Sequence, residues 1–281
     1  MLSPKLDLTI VIPVKNEERN LSGCLQAIGK ELAQKIVIID SGSTDETLSI
    51  AKANNIEVID FKWDGKFPKK RNWYLMNYTP ATKWVLFLDA DENITPSFKE
   101  ELSRVLTSQS NMAGYWLNYT VFFMGKNLRG GYPLKKLALF KVGAGLYERI
   151  DEEHWSQLDM EIHEHPILSG PVGEIKAKID HQDFRGISHY LKKHNEYANW
   201  EASRYLKSAD QQDLRKSWTF KQKLKYRLMR SVFIGPVYFL GSFILMGGFL
   251  DGKRGLSFAM LKMAYFNEIY CKIREAQEAK N

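Results

Sequence analysis

The sequence predicts an α/β fold built on an open sheet, and three observations lead there. Apolar runs of strand length recur at Leu8–Pro13, Lys35–Asp40 and Lys83–Asp89, and uninterrupted runs of this kind mark strands covered on both faces. Segments with helical spacing separate them, which implies parallel pairing through right-handed crossovers. The runs end in charged or turn-forming residues, where open sheets place their ligands.

The elements follow in order. After Leu8–Pro13, Asn16-Glu17-Glu18 opens a helical pattern with Leu21, Cys24, Leu25 and Ile28 on one side. Lys35–Asp40 ends in a carboxylate and the turn Ser41-Gly42-Ser43-Thr44-Asp45, where Thr44 or Asp45 caps a helix over Glu46–Asn54. Ile56–Phe61 is a third strand, Pro68–Asn77 a helix, and Lys83–Asp89 a fourth strand. Beyond residue 100 the alternation loosens. Tyr115–Met124 and Lys136–Val142 read as strands around a Gly130-Gly131 loop, and helical spacing returns from Ile187 to Tyr205. Residues 1–200 are expected to form one domain, with halves 1–110 and 111–200, and residues 201–281 a basic and apolar helical region.

Composition narrows the function classes. The chain has 281 residues, 44% of them hydrophobic, which excludes global disorder. Forty Lys and Arg against 33 Asp and Glu leave a net charge of +7, suited to an anionic partner. Two cysteines exclude a disulfide framework. The apolar run near the N-terminus is too short for a signal segment, so a cytoplasmic protein is expected. A mean hydropathy of −0.35 excludes a multi-pass membrane protein. Neither GxGxxG nor GxxxxGK[ST] occurs, so no dinucleotide loop or P-loop explains a phosphate-binding pocket.

Carboxylates dominate the strand ends. Asp89 and Asp91 stand two apart after an apolar strand, and in extended chain they face one side and one ion. Hard oxygen ligands suit Mg²⁺ or Mn²⁺ completed by phosphate oxygens. Asp40 reads either as a turn-former beside Ser41-Gly42 or as an acceptor for a base or ribose. Glu17 reads as a first-turn helix acid or a nucleoside contact. His181 is either a strand-end residue or part of the site. A zinc site from His154, His163, His165 and His181 lacks cysteine and regular spacing. Trp63 and Tyr132 are buried aromatics or stacking platforms.

Four segments together carry a resemblance: Val11-Ile12-Pro13-Val14-Lys15-Asn16-Glu17-Glu18, Ile39-Asp40-Ser41-Gly42-Ser43-Thr44-Asp45, Lys70-Arg71-Asn72 and Leu88-Asp89-Ala90-Asp91-Glu92. In order and spacing the sequence resembles family 2 glycosyltransferases of the GT-A fold, an open mixed sheet. Leu128-Arg129-Gly130-Gly131, Leu139-Phe140-Lys141, Ile162-His163-Glu164 and Phe249-Leu250-Asp251-Gly252 resemble the bacterial lipopolysaccharide-core β-glucosyltransferase branch. The resemblance implies a UDP-sugar donor. Pro13, Asn16 and Glu17 would line the nucleoside pocket, and Asp40 would meet the uracil. Arg71 and Asn72 would lie near ribose or diphosphate, and Asp89 and Asp91 would serve ribose and a Mn²⁺ or Mg²⁺ ion. Lys66, Lys69 and Lys70 read as a mobile basic clamp on the diphosphate or as a solvated helix start.

An inverting transfer needs a base for the acceptor hydroxyl. The resemblance implies Glu164, with His163 beside it. In an extended segment Glu161 and Glu164 take opposite faces, so only one of them is expected to look into the pocket.

Ser231–Leu250 carries no charge over twenty residues, the length of a membrane span, but its glycines and Pro236 weaken a straight helix. Nine basic residues against two acidic ones precede it, between Arg204 and Arg230. That pattern describes attachment to an anionic membrane face, peripheral or monotopic, and no nucleic-acid motif competes with it. Sequence alone therefore points to a metal-dependent inverting hexosyltransferase, glucose first, acting on a lipid-linked or lipopolysaccharide-core acceptor. Two alternatives stand beside it: transfer to polyprenyl phosphate, and an inert nucleotide-sugar or membrane-binding adaptor.

Overall fold

The computed structural model describes residues 4–150, 158–161, 164–210 and 220–279. Contacts divide the chain into two compact units: Met1–Phe122 with Leu134–Phe184, and Phe123–Pro133 with Arg185–Asn281. The change at residues 184 and 185 precedes the boundary expected at residue 200, which falls inside a helix.

In the first unit the apolar runs are strands. β1 (Leu6–Val14) lies between β2 (Ala33–Asp40) and β4 (Trp84–Phe87), parallel to both, and β3 (Glu57–Asp60) extends the sheet beside β2. Helices α1 (Leu21–Ile28), α2 (Thr47–Ala53) and α3 (Lys70–Asn77) are the crossovers. Leu21, Cys24, Leu25 and Ile28 form the buried face of α1, as their spacing predicts. The N-cap position of α2 is Glu46 rather than Thr44 or Asp45, and Asp45 Oδ1 accepts the Thr47 amide at 3.0 Å in a turn just before it.

The sheet continues through antiparallel pairs and one parallel pair. β5 (Glu92–Ile94) and α4 (Pro96–Thr107) follow β4; then come β6 (Gly114–Phe123), the two-residue β7 (Lys126–Asn127), β8 (Leu134–Lys141), β9 (Gly145–Tyr147), β10 (Pro166–Leu168) and β11 (Val172–His181). The strand order β3-β2-β1-β4-β8-β6-β11-β5 makes a mixed, open sheet. Leu8, Ile10, Ile12, Ile38, Leu86, Phe87 and Phe140 are the fully buried centre of its core. β8 runs antiparallel to β4 and β6, and β11 antiparallel to β5. β11 runs parallel to β6, so β8 and β5 are the reversed strands, and His181 at the carboxyl end of β11 lies at the same end of the sheet as the carboxyl ends of β1 and β4.

The second unit is helical: α5 (Gly186–Asp210), α6 (Phe220–Leu228), α7 (Ile234–Leu240), a π-helical turn Gly241–Leu245, a 3₁₀ turn Gly248–Asp251 and α8 (Gly252–Glu278). Ala198, Tyr205, Met229, Ile234, Phe266 and Ile269 make its core. Among the described residues no single helix is long and apolar enough to cross a membrane. The pair Ile234–Leu245 and Gly248–Glu278 meets the composition, but is bent by 71°. The uncharged run is thus divided at its glycines. Gly247 takes φ +73°, a left-handed conformation that halts the helix.

Candidate functional site

All positions in this section belong to the first unit. At the carboxyl ends of β1 and β2 two loops are stitched together. The Asn16 amide donates to Ser43 Oγ at 2.9 Å, and Asn16 Oδ1 accepts the Thr44 amide at 2.8 Å. Glu17 donates its amide to Thr47 Oγ1 at 2.8 Å, and its carboxylate accepts from the Asn20 amide group at 2.9 Å. Asn16 holds a φ of 57°, which Asn tolerates better than bulkier residues. Asp40 is buried, and its Oδ2 accepts the Gly42 and Ser43 amides at 2.8 and 2.9 Å. The turn-former reading of Asp40 is thus realised, and the same turn fixes where that carboxylate points. Pro13 is a buried residue of β1, paired with Ile39.

Asp89 and Asp91 do not share one direction. β4 ends at Phe87 and a turn follows, so the alternation of extended chain does not apply. Asp89 lies between two cations: Arg71 Nη2 at 2.6 Å from Oδ1 and Lys136 Nζ at 2.5 Å from Oδ2. Continuing the β4–β8 register sets Asp89 opposite Lys136. Burial would raise the Asp89 carboxyl, but Lys136 and Arg71 overcome it and hold it well below the usual carboxylate range. Lys136 also reaches Glu92 Oε1 at 2.5 Å. Burial pushes Glu92 up, with Lys136 opposing.

Asp91 faces His181 instead, its Oδ2 3.4 Å from Nε2. In the β5–β11 ladder His181 lies directly across from Glu92. Asp91, Glu92 and His181 therefore offer ligand atoms within 4.8 Å of one another, the sole such group of three among the described residues. Two carboxylates and an imidazole suit Mn²⁺ well and Mg²⁺ through the oxygens. The candidate group overlaps the expected pair Asp89 and Asp91 at Asp91 alone: Glu92 and His181 lie beside it, while Asp89 pairs with Arg71 and Lys136. Of the four histidines weighed for zinc, His154 and His163 lie outside the described residues, and the His165 ring packs on Trp116.

The segment before Glu164 differs from the extended reading. Asp159–Glu161 has no strand partner and folds over the start of α3. The Asp159 carbonyl accepts the Lys70 amide at 2.9 Å, and the two Glu161 carboxylate oxygens accept the Arg71 and Asn72 amides at 3.0 Å each. Lys69, at the N-cap position, makes no side-chain cap, so Glu161 supplies it from across the chain. Glu161 also accepts Arg71 Nη1 on its carbonyl. Burial raises the Glu161 carboxyl, partly offset by Arg71 and the backbone donors. The Asn72 side chain exchanges two hydrogen bonds with the Tyr147 backbone, at 3.0 and 2.8 Å. Arg71 and Asn72 are thus tied into the protein's own frame.

Glu164 is buried and pairs with Lys69, Nζ to Oε1 at 3.0 Å. A cleft of about 260 Å³ is lined by Trp63, Lys66, Lys69, Asn72, Glu148, Glu161 and Glu164 among others. Both glutamates line it, against the expectation that only one would; Asp159–Glu161 has no strand partner, so strand alternation does not govern that stretch. Lys69 and Lys70 are buried rather than a solvated clamp; Lys70 donates to the Val14 carbonyl at 3.1 Å and meets Asp159 at 3.3 Å. His163 lies outside the described residues. Sequence reading passed over Glu92 and Lys136: Glu92 stands in the quoted acidic motif, and Lys136 carries no local signal.

Residues 9–131 match the sequence profile described as Glycosyl transferase family 2. The chain is 25% identical over 281 residues to the lipopolysaccharide core biosynthesis glycosyltransferase LpsC of Rhizobium meliloti (strain 1021), covering 93% of this chain and 92% of that one. It is 20% identical over 283 residues to an uncharacterized glycosyltransferase of Rickettsia typhi (strain ATCC VR-144 / Wilmington), covering 98% and 91%. Among solved structures, glucosyl-3-phosphoglycerate synthase from Mycobacterium tuberculosis, in complex with Mn²⁺, UDP and phosphoglyceric acid, is 22% identical with a TM-score of 0.32. That match covers 43% of this chain and 44% of the other.

Proposed function

We propose that this chain, a family 2 glycosyltransferase, moves a hexose with inversion from a UDP-sugar to a lipid-linked or lipopolysaccharide-core saccharide at the inner face of the cell membrane. The observation that carries the reading is the grouping of Asp91, Glu92 and His181 at the ligand end of the sheet, beside Asp89. The full-length likeness to a lipopolysaccharide core glycosyltransferase supports the acceptor class, and glucose is the first sugar to try.

The chemistry is one displacement. The acceptor hydroxyl oxygen attacks the anomeric carbon, the bond from that carbon to the UDP oxygen breaks, and the hydroxyl proton passes to a carboxylate. Glu164 is that base: Glu161 has both oxygens committed to the start of α3, whereas Glu164 lines the same cleft in an ion pair. Asp91, Glu92 and His181 would hold Mn²⁺ or Mg²⁺, which neutralises the charge growing on the leaving diphosphate. Asn16, Glu17 and Asp40, held by the stitched loops, together with Pro13, shape the nucleoside end of the donor site. Arg71 and Lys136 fix Asp89 in its ionised form for the ribose, and Asn72 steadies the cleft wall.

The test is calorimetry of UDP with and without Mn²⁺ on the wild type, Asp91→Ala and His181→Ala, followed by transfer from UDP-glucose to isolated core saccharide. UDP binding that needs Mn²⁺ and is lost in both variants is the expected result. UDP binding indifferent to metal would overturn the metal role of Asp91, Glu92 and His181, and no UDP binding at all would overturn the donor reading.

A further inference from the structure

We infer that the second unit docks on an anionic lipid surface through a bent apolar ridge, α7 and the two turns after it, flanked by cations. The inference deepens the membrane part of the proposed function by assigning the contact to particular residues. On α7 the inward side packs: Ile234 belongs to the core, and the Tyr238 ring stacks on Phe266 with centroids 3.4 Å apart. The opposite side does not. Phe233, Val237, Leu240 and Ile244 are all exposed, and their spacing puts them on one helical face. The glycine-containing turns then present Leu245, 84% exposed, with Met246, Phe249 and Leu250. Leu256 and Met260 carry exposed apolar surface onto α8.

This ridge is held in place, not frayed. A Cβ on Gly255 would lie 1.8 Å from the Gly248 carbonyl oxygen, so α8 and the 3₁₀ turn touch backbone to backbone. Asp251, the one acid beside the run, turns its carboxylate away onto the Arg129 and Gly130 amides at 2.9 and 3.0 Å. The polypeptide therefore keeps a row of large side chains in water and removes the negative charge next to them.

Charge selects the occupant. Exposed Lys223, Arg227 and Arg230 precede the ridge and exposed Lys253 follows it, while residues 231–250 carry no charge at all. An apolar face bordered by cations at both ends complements acyl chains beneath anionic headgroups. A second copy of the same face would bring like charges together. The bend of 71° between Ile234–Leu245 and Gly248–Glu278 fits a segment that lies in the interface.

Flotation of the full chain with vesicles tests this, using phosphatidylcholine mixed with phosphatidylglycerol and phosphatidylcholine alone. The wild type is expected to float with the anionic vesicles, and less so at high salt. Leu245→Ser with Phe249→Ser should reduce the bound fraction about tenfold. Arg230→Glu with Lys253→Glu should abolish the preference for the anionic mixture. Both pairs are exposed, so melting temperatures should hold; Val237→Ser with Leu240→Ser repeats the apolar test on α7. A wild type that stays in the aqueous phase, or apolar variants that float unchanged, would overturn the inference. So would a vesicle-free dimer that the Leu245 and Phe249 changes dissociate, since a second copy would then cover the ridge. Flotation needs neither donor nor acceptor, so its failure leaves UDP binding untouched and the two readings fail separately.

Discussion

Lys69 and Glu164 stand 95 positions apart in sequence and form a buried ion pair, ammonium to carboxylate at 3.0 Å. The pair fixes the carboxylate in the cleft, where the proposed transfer requires a proton acceptor for the sugar hydroxyl. Glu164→Gln keeps the shape and an oxygen for Lys69 but removes the basic site. We expect kcat to fall by about 10²–10⁴-fold with UDP affinity unchanged. Steady-state kinetics with a core saccharide checks this. If the acceptor is polyprenyl phosphate, already an anion, the variant should retain nearly full activity instead.

Glu161 predicts a different phenotype from its neighbour. Its two oxygens replace the missing cap of α3, and its removal exposes two buried amides to an unsatisfied state. Glu161→Ala should cost about 2–3 kcal/mol in urea unfolding. Glu161→Gln, which keeps one acceptor oxygen, should recover part of it. Equal stability in all three proteins would remove the capping role.

On the proposed reading the acidic motif divides into a clamped residue, Asp89, and a metal ligand, Asp91. Asp89→Asn should leave Mn²⁺ affinity within about threefold, because Asp89 lies outside the group of ligand atoms. His181→Ala should weaken Mn²⁺ by about tenfold or more. Titration of the metal followed by electron paramagnetic resonance separates the two. The reverse ranking would restore Asp89 as the ligand.

Why the motif misled is a question of register. The apolar run Leu8–Pro13 was legible because a strand buried on both faces needs no partner to be recognised. The α1 face was legible for the same local reason, through the spacing of Leu21, Cys24, Leu25 and Ile28. His181 meets Asp91 only because β11 runs antiparallel to β5, and Lys136 meets Asp89 only because β8 reverses beside β4. Those pairings join residues about ninety and forty-seven positions apart, and no local pattern encodes them. Glu161 and Glu164 escaped for another reason. Glu161 turns its carboxylate onto the amides at the start of α3, and Asp159 its carbonyl, in a stretch with no strand partner, so the two-residue period of a strand does not apply there.

Lys262 supplies a pH-dependent test in the second unit. Its ammonium lies over the rings of Phe258, Tyr132 and Tyr265 at 5.4, 5.7 and 5.9 Å. Burial pushes its pKa down to about 8. In the unfolded chain a lysine titrates near about 10.4. Between those values the unfolded state holds the proton and the folded state does not, so stability rises with pH across that window. Below about pH 8 both states are charged and the folded one bears the full cost of burial. Lys262→Met should therefore stabilise the protein at pH 7, by about 1–2 kcal/mol once the ring faces and partial exposure are allowed for. That is a rise of about 3–6 °C in melting temperature for a chain of this size. The gain over wild type should shrink steadily as pH rises from 8 toward 10.4. Paired thermal melts of the two proteins across that range check it; a difference independent of pH would mean the lysine is not buried as charge.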